Sequence, residues 1–339
     1  MNLNIREMNP ADENDIKNSL KSISGIGEEQ WKWKFFGNPE IKSRIWVIDD
    51  DGTLAGHMSL QGVNFNIGSK TMPGCQAVDL FIKENYRRKG LFVKLGKTSL
   101  DESGQEGMNL AIGFPNHEAL SGHLKYGWKQ IGMIPRAFKP LDINRYSDSL
   151  KKKPPLLKLA LKFKSKEKSI PKHELKIEEI QSFPENIDRF SKLALQNRNA
   201  VERSSQYLNW RYCKAPHRKY VKFMASQKGE IKGYIVGYES EKKPGNGYIV
   251  DLLVNASDNI TARALIKTLE NHFISKNVFA VYSWIPNMDG FNQIFKNSGY
   301  IFRKPTQPFI VRVNKGFEGE GKVFDFNRWF ITMGDSDLH

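Results

Sequence analysis

The sequence has 339 residues, of which 39% are hydrophobic, and it carries a formal net charge of +15. This length exceeds one ordinary hydrophobic core and favours two domains, while the hydrophobic content, with seven Trp and 21 Phe, excludes a disordered chain. Cys75 and Cys213 give neither a metal-binding spacing nor a disulfide framework, so we expect a protein of the reducing cytoplasm with no bound metal. The N-terminal residues lack the apolar core of a signal peptide. No apolar stretch approaches the roughly 18 residues that a transmembrane helix needs, so we expect no stable membrane insertion.

The positive charge is concentrated in one segment, because ten lysines lie between Lys151 and Lys176. A run of this kind is typical of a solvated linker between domains. It is also compatible with the attraction of an acidic ligand such as CoA or a nucleotide sugar. A third interpretation is a short basic amphipathic helix, PLLKLALKF, that touches a membrane surface.

The chain contains an internal repeat, which begins at an offset of 177 positions and continues at an offset of 172. The first set of matches pairs Trp33-Lys34-Phe35 with Trp210-Arg211-Tyr212, and Gly52 and Gly56 with Gly229 and Gly233. The second set pairs Val78–Ile82 with Val250–Val254, and Gly127-Trp128 with Gly299-Tyr300. One hairpin shortened by five residues, between positions 57–78 and 234–250, explains the change of offset. We therefore predict a tandem duplication, with domains at residues 1–145 and 172–339 and a lysine-rich linker at 146–171.

Both halves show the same order of elements. A helical region, Glu28–Phe36 or Ile187–Trp210, precedes a hairpin and a longer apolar strand. A helix follows, at about Gly90–Ser103 or Thr261–Ser275, and then another strand, a short helix and the final strands. The order predicts a mixed α/β fold built around a strand–loop–helix unit.

The strand–loop–helix unit of the first half has the character of a phosphate-binding site. The apolar strand Ala77–Ile82 leads into a basic turn, Tyr86–Lys89, and a helix begins after Gly90. A helix N-terminus presents free N–H groups and partial positive charge, which suit a diphosphate. Gly90 would let the backbone approach the phosphate oxygens closely.

Two motifs in this half resemble those of the GNAT superfamily of N-acyltransferases. Arg87–Phe92 fits the pyrophosphate loop [QR]-x-x-G-x-[GA], except that Phe92 replaces a small residue. The following segment resembles N-x-x-A-x-x-x-Y-x-x-x-G-F. The residues at its defined positions are Asn116, Ala119, His123, Gly127 and Trp128. The resemblance implies two tandem GNAT-like domains, each a mostly antiparallel mixed sheet flanked by helices, arranged as a pseudo-dimer within a monomer.

The resemblance also implies where acyl-CoA, the co-substrate, binds. The implied CoA-binding residues are Leu80, Phe81, Ile82, Arg87, Arg88, Lys89, Gly90, Leu91, Phe92 and Asn116. The second half lacks the loop motif and has Phe295 at the position of His123. We expect it to bind no CoA, to pack against the first half and to help recognise the acceptor.

In this family the acceptor amine attacks the thioester directly, and the implied oxyanion donor is a backbone N–H near Ile82. His123 replaces the general-acid Tyr and, with a pKa near 6.5, would exchange a proton; Tyr126 is the alternative acid. Asn116 would contact the pantetheine or cap the next helix. Asp79 is a candidate base, although Asp251 occupies the same position in the second half, which favours a structural role.

The acceptor is the least defined part of the prediction. Candidate contacts are Trp210, Trp284 and two aspartates of the tail WFITMGDSDLH, Asp335 and Asp337; a frayed terminus is the alternative for the tail. The tail resembles endings of transferases of surface-polysaccharide synthesis. That resemblance implies N-acylation of an amino sugar, dTDP- or UDP-linked, with an acetyl or short hydroxyacyl group such as 3-hydroxybutyryl.

Two other functions stay open at this point. A tandem-GNAT peptidyl transferase that uses aminoacyl-tRNA suits the positive charge, but it needs no CoA pyrophosphate loop. A non-enzymatic protein that binds nucleic acid through the lysine-rich linker would show strongly salt-dependent affinity. The sequence contains no zinc-finger or RNA-recognition signature, so we expect no nucleic-acid partner.

Overall fold

The computed structural model describes residues 2–68, 70–150, 156–171, 174–317 and 319–337. The strands within these residues are β1 Leu3–Glu7, β2 Arg44–Asp50, β3 Thr53–Ile67, β4 Lys70–Ile82, β5 Leu110–Gly113, β6 Lys129–Pro140, β7 Lys176–Glu179, β8 Ala200–Val201, β9 Val221–Gln227, β10 Glu230–Glu239, β11 Asn246–Val254, β12 Ala280–Trp284 and β13 Ile301–Val313.

The α-helices are α1 Glu13–Ser24, α2 Glu28–Phe36, α3 Leu91–Gln105, α4 His117–His123, α5 Ile143–Ser149, α6 Leu157–Lys164, α7 Ile187–Ala194, α8 Ser205–Cys213, α9 Asn259–Ser275, α10 Phe291–Asn297 and α11 Glu320–Val323. Short 3₁₀ turns lie at Pro10–Asp12, Glu84–Tyr86, Leu124–Tyr126, Phe326–Arg328 and Met333–Asp335. The helix predicted at Glu28–Phe36 is confirmed. The region predicted as helical at Ile187–Trp210 is instead two helices, α7 and α8, with the short strand β8 between them.

The chain forms two compact units that are not contiguous halves of the sequence. The first unit contains Met1–Met133, Lys214–His217 and Gln307–Phe326, and the second contains Ile134–Cys213, Arg218–Thr306 and Asn327–His339. The boundary therefore falls inside two strands, β6 and β13.

The sheet of the first unit has the order β1-β2-β3-β4-β5-β13. Its strands are antiparallel except for β4 and β5, which are parallel neighbours. One face is covered by α3, where Leu95 and Leu100 pack on Met58 and Leu60. The other face is covered by α1 and α2, where Trp31 and the helix around it form a separate apolar cluster.

The sheet of the second unit has the order β6-β12-β11-β10-β9-β7, with β11 and β12 parallel and the other pairs antiparallel. The mixed α/β fold class, with a mostly antiparallel mixed sheet in each unit, is confirmed.

The internal repeat is visible in the strand register. Gly56 pairs with Ile82 in the first unit, and Gly233 pairs with Val254 in the second. Farther along the hairpin, Gly62 pairs with Cys75, and Glu239 pairs with Gly247. These pairs keep the offsets of 177 and 172 read from the sequence, so the shortened hairpin lies between β10 and β11. The two units therefore repeat one fold in tandem, as predicted, while their arrangement as a pseudo-dimer stays a prediction.

Two boundaries differ from those expected from the sequence. Residues 310–313 of β13 pair with β5 in the first unit, and residues 136–140 of β6 pair with β12 in the second. Each sheet thus includes a strand from the other half of the sequence. Periodicity alone cannot reveal this, because an alternating strand fits either sheet.

The described part of the predicted linker packs on the second unit. Tyr146 of α5 and Leu161 of α6 form an apolar cluster with Phe138 and Ala280. Lys139 contacts Glu167 at 2.6 Å, which fixes the end of this segment. The lysines at positions 151–153 and 172 lie outside the described residues. Among the residues described, no helix is long and apolar enough to span a membrane.

Candidate active site

The loop before α3 has the backbone of an anion-binding turn. Arg88 and Gly90 adopt left-handed conformations, with φ of 63° and 72°, and α3 begins at Leu91. Gly90 is the N-cap, and no side chain in the described chain caps this helix end. A Cβ atom added at Gly90 would have no neighbour within 4 Å, so the space in front of the helix is open. The first N–H groups of α3 are therefore available to an anion.

The basic side chains of this loop are exposed and held at its rim. Arg87 donates a hydrogen bond from Nε to the Ile82 carbonyl at 3.1 Å. The Lys89 ammonium lies 5.5 Å from the centre of the Tyr86 ring. The Tyr86 hydroxyl donates to Asp50 at 2.9 Å, which anchors the turn to β2. Positive charge thus surrounds the open helix end, as a diphosphate requires.

The two parallel strands beside this loop separate soon after they meet. β4 and β5 pair only at Cys75 with Ala111 and at Gln76 with Ile112. β4 then continues to Ile82 and is interrupted by a register shift at which Asp79 has a φ of 51°. Residues Leu80–Ile82 therefore have an edge that is not paired with β5, where the backbone can bond to a ligand.

The unexpected Phe92 is accommodated by a glycine on the neighbouring helix. The Phe92 ring packs on Gly122 of α4, where an added Cβ would lie 2.6 Å from the ring. The same ring contacts His123 edge-on, with centroids 5.2 Å apart. The bulky residue fills the α3–α4 interface and leaves the space before Gly90 open.

His123 and Tyr126 form a buried pair, with 2.5 Å between His123 Nδ1 and Tyr126 Oη. Burial lowers the pKa of His123 to about 4, so the imidazole is neutral at pH 7 and does not titrate near 6.5 as its type suggests. Burial raises the pKa of Tyr126 well above its usual range, so the phenol keeps its proton. Of the two, Tyr126 therefore has the more available acidic proton at neutral pH.

Asn116 caps α4, because its side chain accepts a hydrogen bond from the Ala119 N–H at 2.8 Å. The capping role foreseen from the sequence is confirmed. The pantetheine contact stays a prediction, and the exposed amide nitrogen of Asn116 is free of the capping bond.

In the second unit, α9 corresponds to α3, but its N-terminus is capped by a carboxylate instead of being open. Asp258 caps α9 and accepts a hydrogen bond from the Thr261 N–H at 2.9 Å and another from the Thr261 hydroxyl at 2.6 Å. A carboxylate therefore occupies the place where an anion would bind. The cap satisfies the helix end and repels a phosphate.

The fold agrees with comparisons to known proteins. Residues 4–131 match the acetyltransferase (GNAT) domain. No protein of curated function matches the sequence significantly.

Three solved structures share the fold over nearly the whole chain. A probable N-acyltransferase from Enterococcus faecalis V583 superposes with a TM-score of 0.65 and 12% identity, over 92% of this chain and 73% of that one. Saccharomyces cerevisiae N-myristoyltransferase with bound myristoyl-CoA gives 0.58 and 12%, over 91% and 82%. A tandem GNAT protein from the clavulanic acid biosynthesis pathway gives 0.55 and 12%, over 92% and 98%. The matched domain supports a CoA-dependent acyltransferase, and the three solved structures show the same fold.

Asp79, the candidate base, is held by a lysine of α2. Lys34 Nζ lies 2.6 Å from Asp79 Oδ2, and both side chains are at most 10% exposed. This ion pair connects α2 to the irregular part of β4. The ion pair with Lys34 gives Asp79 a structural role. Its role as a catalytic base stays a prediction.

Sequence reasoning missed a row of polar residues under α2. His57, Ser59 and Gln61 alternate along β3 and all face the cluster beneath α1 and α2, where they are buried. The alternating pattern H-x-S-x-Q was the available signal. By itself it predicts a solvated strand face, and its burial depends on α2 packing over it.

The predicted acceptor contacts lie in the second unit and are largely buried. Asp335 is 2% exposed and its carboxylate bonds to Arg203, with Nη1 and Oδ1 2.7 Å apart. Trp210 and Trp284 are also buried, and Asp337 is half-buried. The bond to Arg203 gives a structural reason for the aspartate in the polar tail. Contacts of an acceptor with Asp335, Asp337, Trp210 and Trp284 stay predictions.

Arg203, which bonds to Asp335, belongs to a larger buried network. Arg203 Nε also donates to Asp251 Oδ2 at 3.2 Å. The hydroxyls of Tyr212 and Tyr234 each donate to the same oxygen at 3.1 Å. Burial raises the pKa of Asp251, against the effect of Arg203. The aspartate at the repeated position is thus a structural residue in the second unit.

Proposed function

We propose that the protein is an acyl-CoA-dependent N-acyltransferase that acylates the amine of an amino sugar, linked to dTDP or UDP. The acyl group is acetyl or a short hydroxyacyl such as 3-hydroxybutyryl. The supporting observation is the open helix end at Gly90, ringed by Arg87, Arg88 and Lys89 and adjacent to the unpaired edge of β4. The amino-sugar acceptor rests on the resemblance of the C-terminal tail.

The proposed binding mode assigns each part of acyl-CoA to one part of the first unit. The diphosphate lies at the N–H groups of Leu91 and Phe92, and the pantetheine follows the unpaired edge Leu80–Ile82. Asn116 offers its amide nitrogen at the other side of the opening. A backbone N–H near Ile82 stabilises the oxyanion that forms on the thioester carbonyl.

In the proposed reaction, the acceptor nitrogen attacks the thioester carbonyl carbon, so that an N–C bond forms and the C–S bond breaks. The departing thiolate takes one proton and the nitrogen releases one. Tyr126 supplies the proton to the thiolate, since its phenol stays protonated at neutral pH, and the proton that the nitrogen releases restores the phenol. His123, bonded to the phenol, orients it.

The binding site is tested by Gly90→Glu, with acetyl-CoA affinity measured by calorimetry. A carboxylate in front of α3 should weaken binding about 100-fold or more, because it repels the diphosphate and occupies its place. Gly90→Asn is the matched control, since Asn tolerates a left-handed conformation and adds no charge. If the wild type binds no CoA, or if Gly90→Glu binds it normally, the proposed function or its site is wrong.

A further inference from the structure

The face of the first sheet that lies under α2 contains five buried polar side-chain atoms without a hydrogen-bond partner among the described residues. Both ring nitrogens of His57, Ser59 Oγ, Gln76 Nε2 and Trp31 Nε1 are buried and have no hydrogen-bond partner among the described residues. We call these four residues the α2-face row. An unpaired buried polar group lowers the stability of a fold, so several on one face indicate that a partner binds there.

Three members of the row lie close together on adjacent strands, because His57 and Ser59 are two positions apart on β3 and Gln76 is two positions from Val78, the β4 partner of Ser59. Gln61 pairs with Gln76, Ser59 with Val78, and His57 with Phe81. Trp31 belongs to the apolar cluster that packs on Val78 from α2. The unpaired atoms therefore lie along two adjacent strands and the helix above them.

The second unit shows that this fold can satisfy or remove the same polar groups. The residues at the positions of His57, Ser59 and Gln76 are Tyr234, Val236 and Tyr248. Tyr234 donates its hydroxyl to Asp251, and Tyr248 stacks on Tyr238 with centroids 5.0 Å apart. The unpaired atoms are thus not imposed by the register or by the bulge. They belong to the unit that has the open helix end.

The row adjoins the edge where the thioester is placed. Phe81 lies directly across from His57, and the two rings are in edge-on contact at 4.8 Å. Phe81 is half-buried and belongs to the part of β4 that is not paired with β5.

We propose that the α2-face row binds the acceptor, and that it takes a hydroxylated primary amine in its uncharged form. This inference rests on the proposed function and deepens it. A neutral imidazole offers one acceptor and one donor, the serine hydroxyl offers both, and the Gln76 and Trp31 nitrogens donate. Such a set matches sugar hydroxyls and the N–H of a free amine.

The charges near the row favour an amine in its uncharged form. Lys34 and Asp79 are bonded to each other and leave no single charge to pair with a carboxylate or a phosphate. Burial and the nearby Lys34 lower the pKa of His57 to about 3. The same two effects disfavour an ammonium ion bound beside the imidazole. The site therefore selects the free base, which is the nucleophilic form of the amine.

The test uses the full-length protein with CoA bound and histidine labelled with ¹⁵N. Glucosamine is the probe, and glucose, which has a hydroxyl in place of the amine, is the matched ligand control. Glucosamine should shift the His57 ring resonances, and glucose should not. His57→Leu should weaken glucosamine binding at least about tenfold, which removes roughly 1.4 kcal/mol.

Two variants separate binding from folding. His57→Gln keeps one donor and one acceptor and should retain part of the affinity. Tyr234→Phe, at the same position in the second unit, should leave glucosamine binding unchanged. CoA affinity should be equal to wild type in all three variants.

Two outcomes overturn the inference. If glucosamine binds the wild type and His57→Leu equally, the amine lies elsewhere. If no response occurs up to roughly 100 mM, far above a millimolar dissociation constant, the row holds only water. CoA binding, measured in the same samples, keeps these failures distinct from a failure of the proposed function.

Discussion

The segment from β3 to α3 in the first unit and the segment from β10 to α9 in the second share their strand register but differ in how their polar groups are paired. In the second unit, Asp251 is bonded to Arg203 and two tyrosines, and Asp258 caps the helix. In the first, His57 has no partner among the described residues and the helix begins at an uncapped glycine.

This difference separates a structural role from a binding role by a physical criterion. A fold that can satisfy its polar groups in one copy has no geometric reason to leave them unpaired in the other. Departures from local consistency concentrate at functional sites, where a ligand completes the bonding. The comparison therefore singles out two positions of the first unit, His57 and the helix end at Gly90, whose counterparts Tyr234 and Asp258 are bonded in the second unit.

The largest expected effect comes from removing the central carboxylate of the second unit. Asp251→Ala leaves the Arg203 guanidinium buried with one of its two carboxylate partners missing. We expect the free energy of unfolding to fall by about 3–5 kcal/mol, measured by denaturant titration. Asp79→Ala is the matched variant in the first unit. It should cost less, because Lys34 can extend its flexible stem toward water. Equal losses would contradict the contrast between the two copies.

Replacing the proposed proton donor, Tyr126 of the first unit, should slow the acyl transfer. Tyr126→Phe should lower kcat for acetyl transfer by about 10²-fold, which is the low end of general-acid catalysis, with little change in the affinity for acetyl-CoA. Stopped-flow measurement of thiol release gives kcat directly. His123→Phe should have a smaller effect, since it removes the residue that orients the phenol. A Tyr126→Phe enzyme with wild-type kcat would assign the proton transfer elsewhere.

The two buried histidines of the first unit make its stability sensitive to acid. The pKa values of His57 and His123 are lowered to about 3 and about 4, so both groups bind protons more readily in the unfolded chain. Their contribution to the free energy of unfolding is complete above about pH 6.5 and is lost as the pH falls toward 4. The slope is at most about 1.4 kcal/mol per pH unit for each group. Thermal unfolding of wild type and His57→Gln over this range measures it. Identical slopes would show that His57 does not contribute.

The smallest effect is expected at the capped helix of the second unit. Asp258→Ala removes the side-chain cap of α9 and should lower the free energy of unfolding by about 1 kcal/mol. The open helix end should not acquire affinity for CoA, because the second unit lacks the basic residues of the first loop. Calorimetry with acetyl-CoA on the Gly90→Glu background isolates the second unit. Binding that appears in this double variant would show that the cap alone blocks the second site.

Local patterns in the sequence were sufficient for much of the fold and for the phosphate loop. Glu28–Phe36 and the segment after Gly90 are helical because their spacing and their neighbours act locally. The repeat, too, could be read from ordered matches such as Trp33-Lys34-Phe35 with Trp210-Arg211-Tyr212.

Features that depend on distant contacts could not be read in this way. The burial of His57 depends on α2, and the low pKa of His123 depends on packing with Phe92 and Tyr126. Asp335 has the composition of a ligand contact, but Arg203, which lies 132 positions earlier, binds it. Composition identifies a polar group, whereas its partner is set by tertiary structure.

The crossing of β6 and β13 between the units has a consequence for folding. About 300 residues have already emerged from the ribosome before the strand that completes the first sheet, Ile310–Val313, is available to pair with β5. Until then β5 presents an open edge, which is a site for aggregation. Contacts of such long sequence separation also slow folding, because the loop must close before the pairing is gained. A fragment cut at residue 145 should therefore not reproduce the first unit, and functional studies require the whole chain.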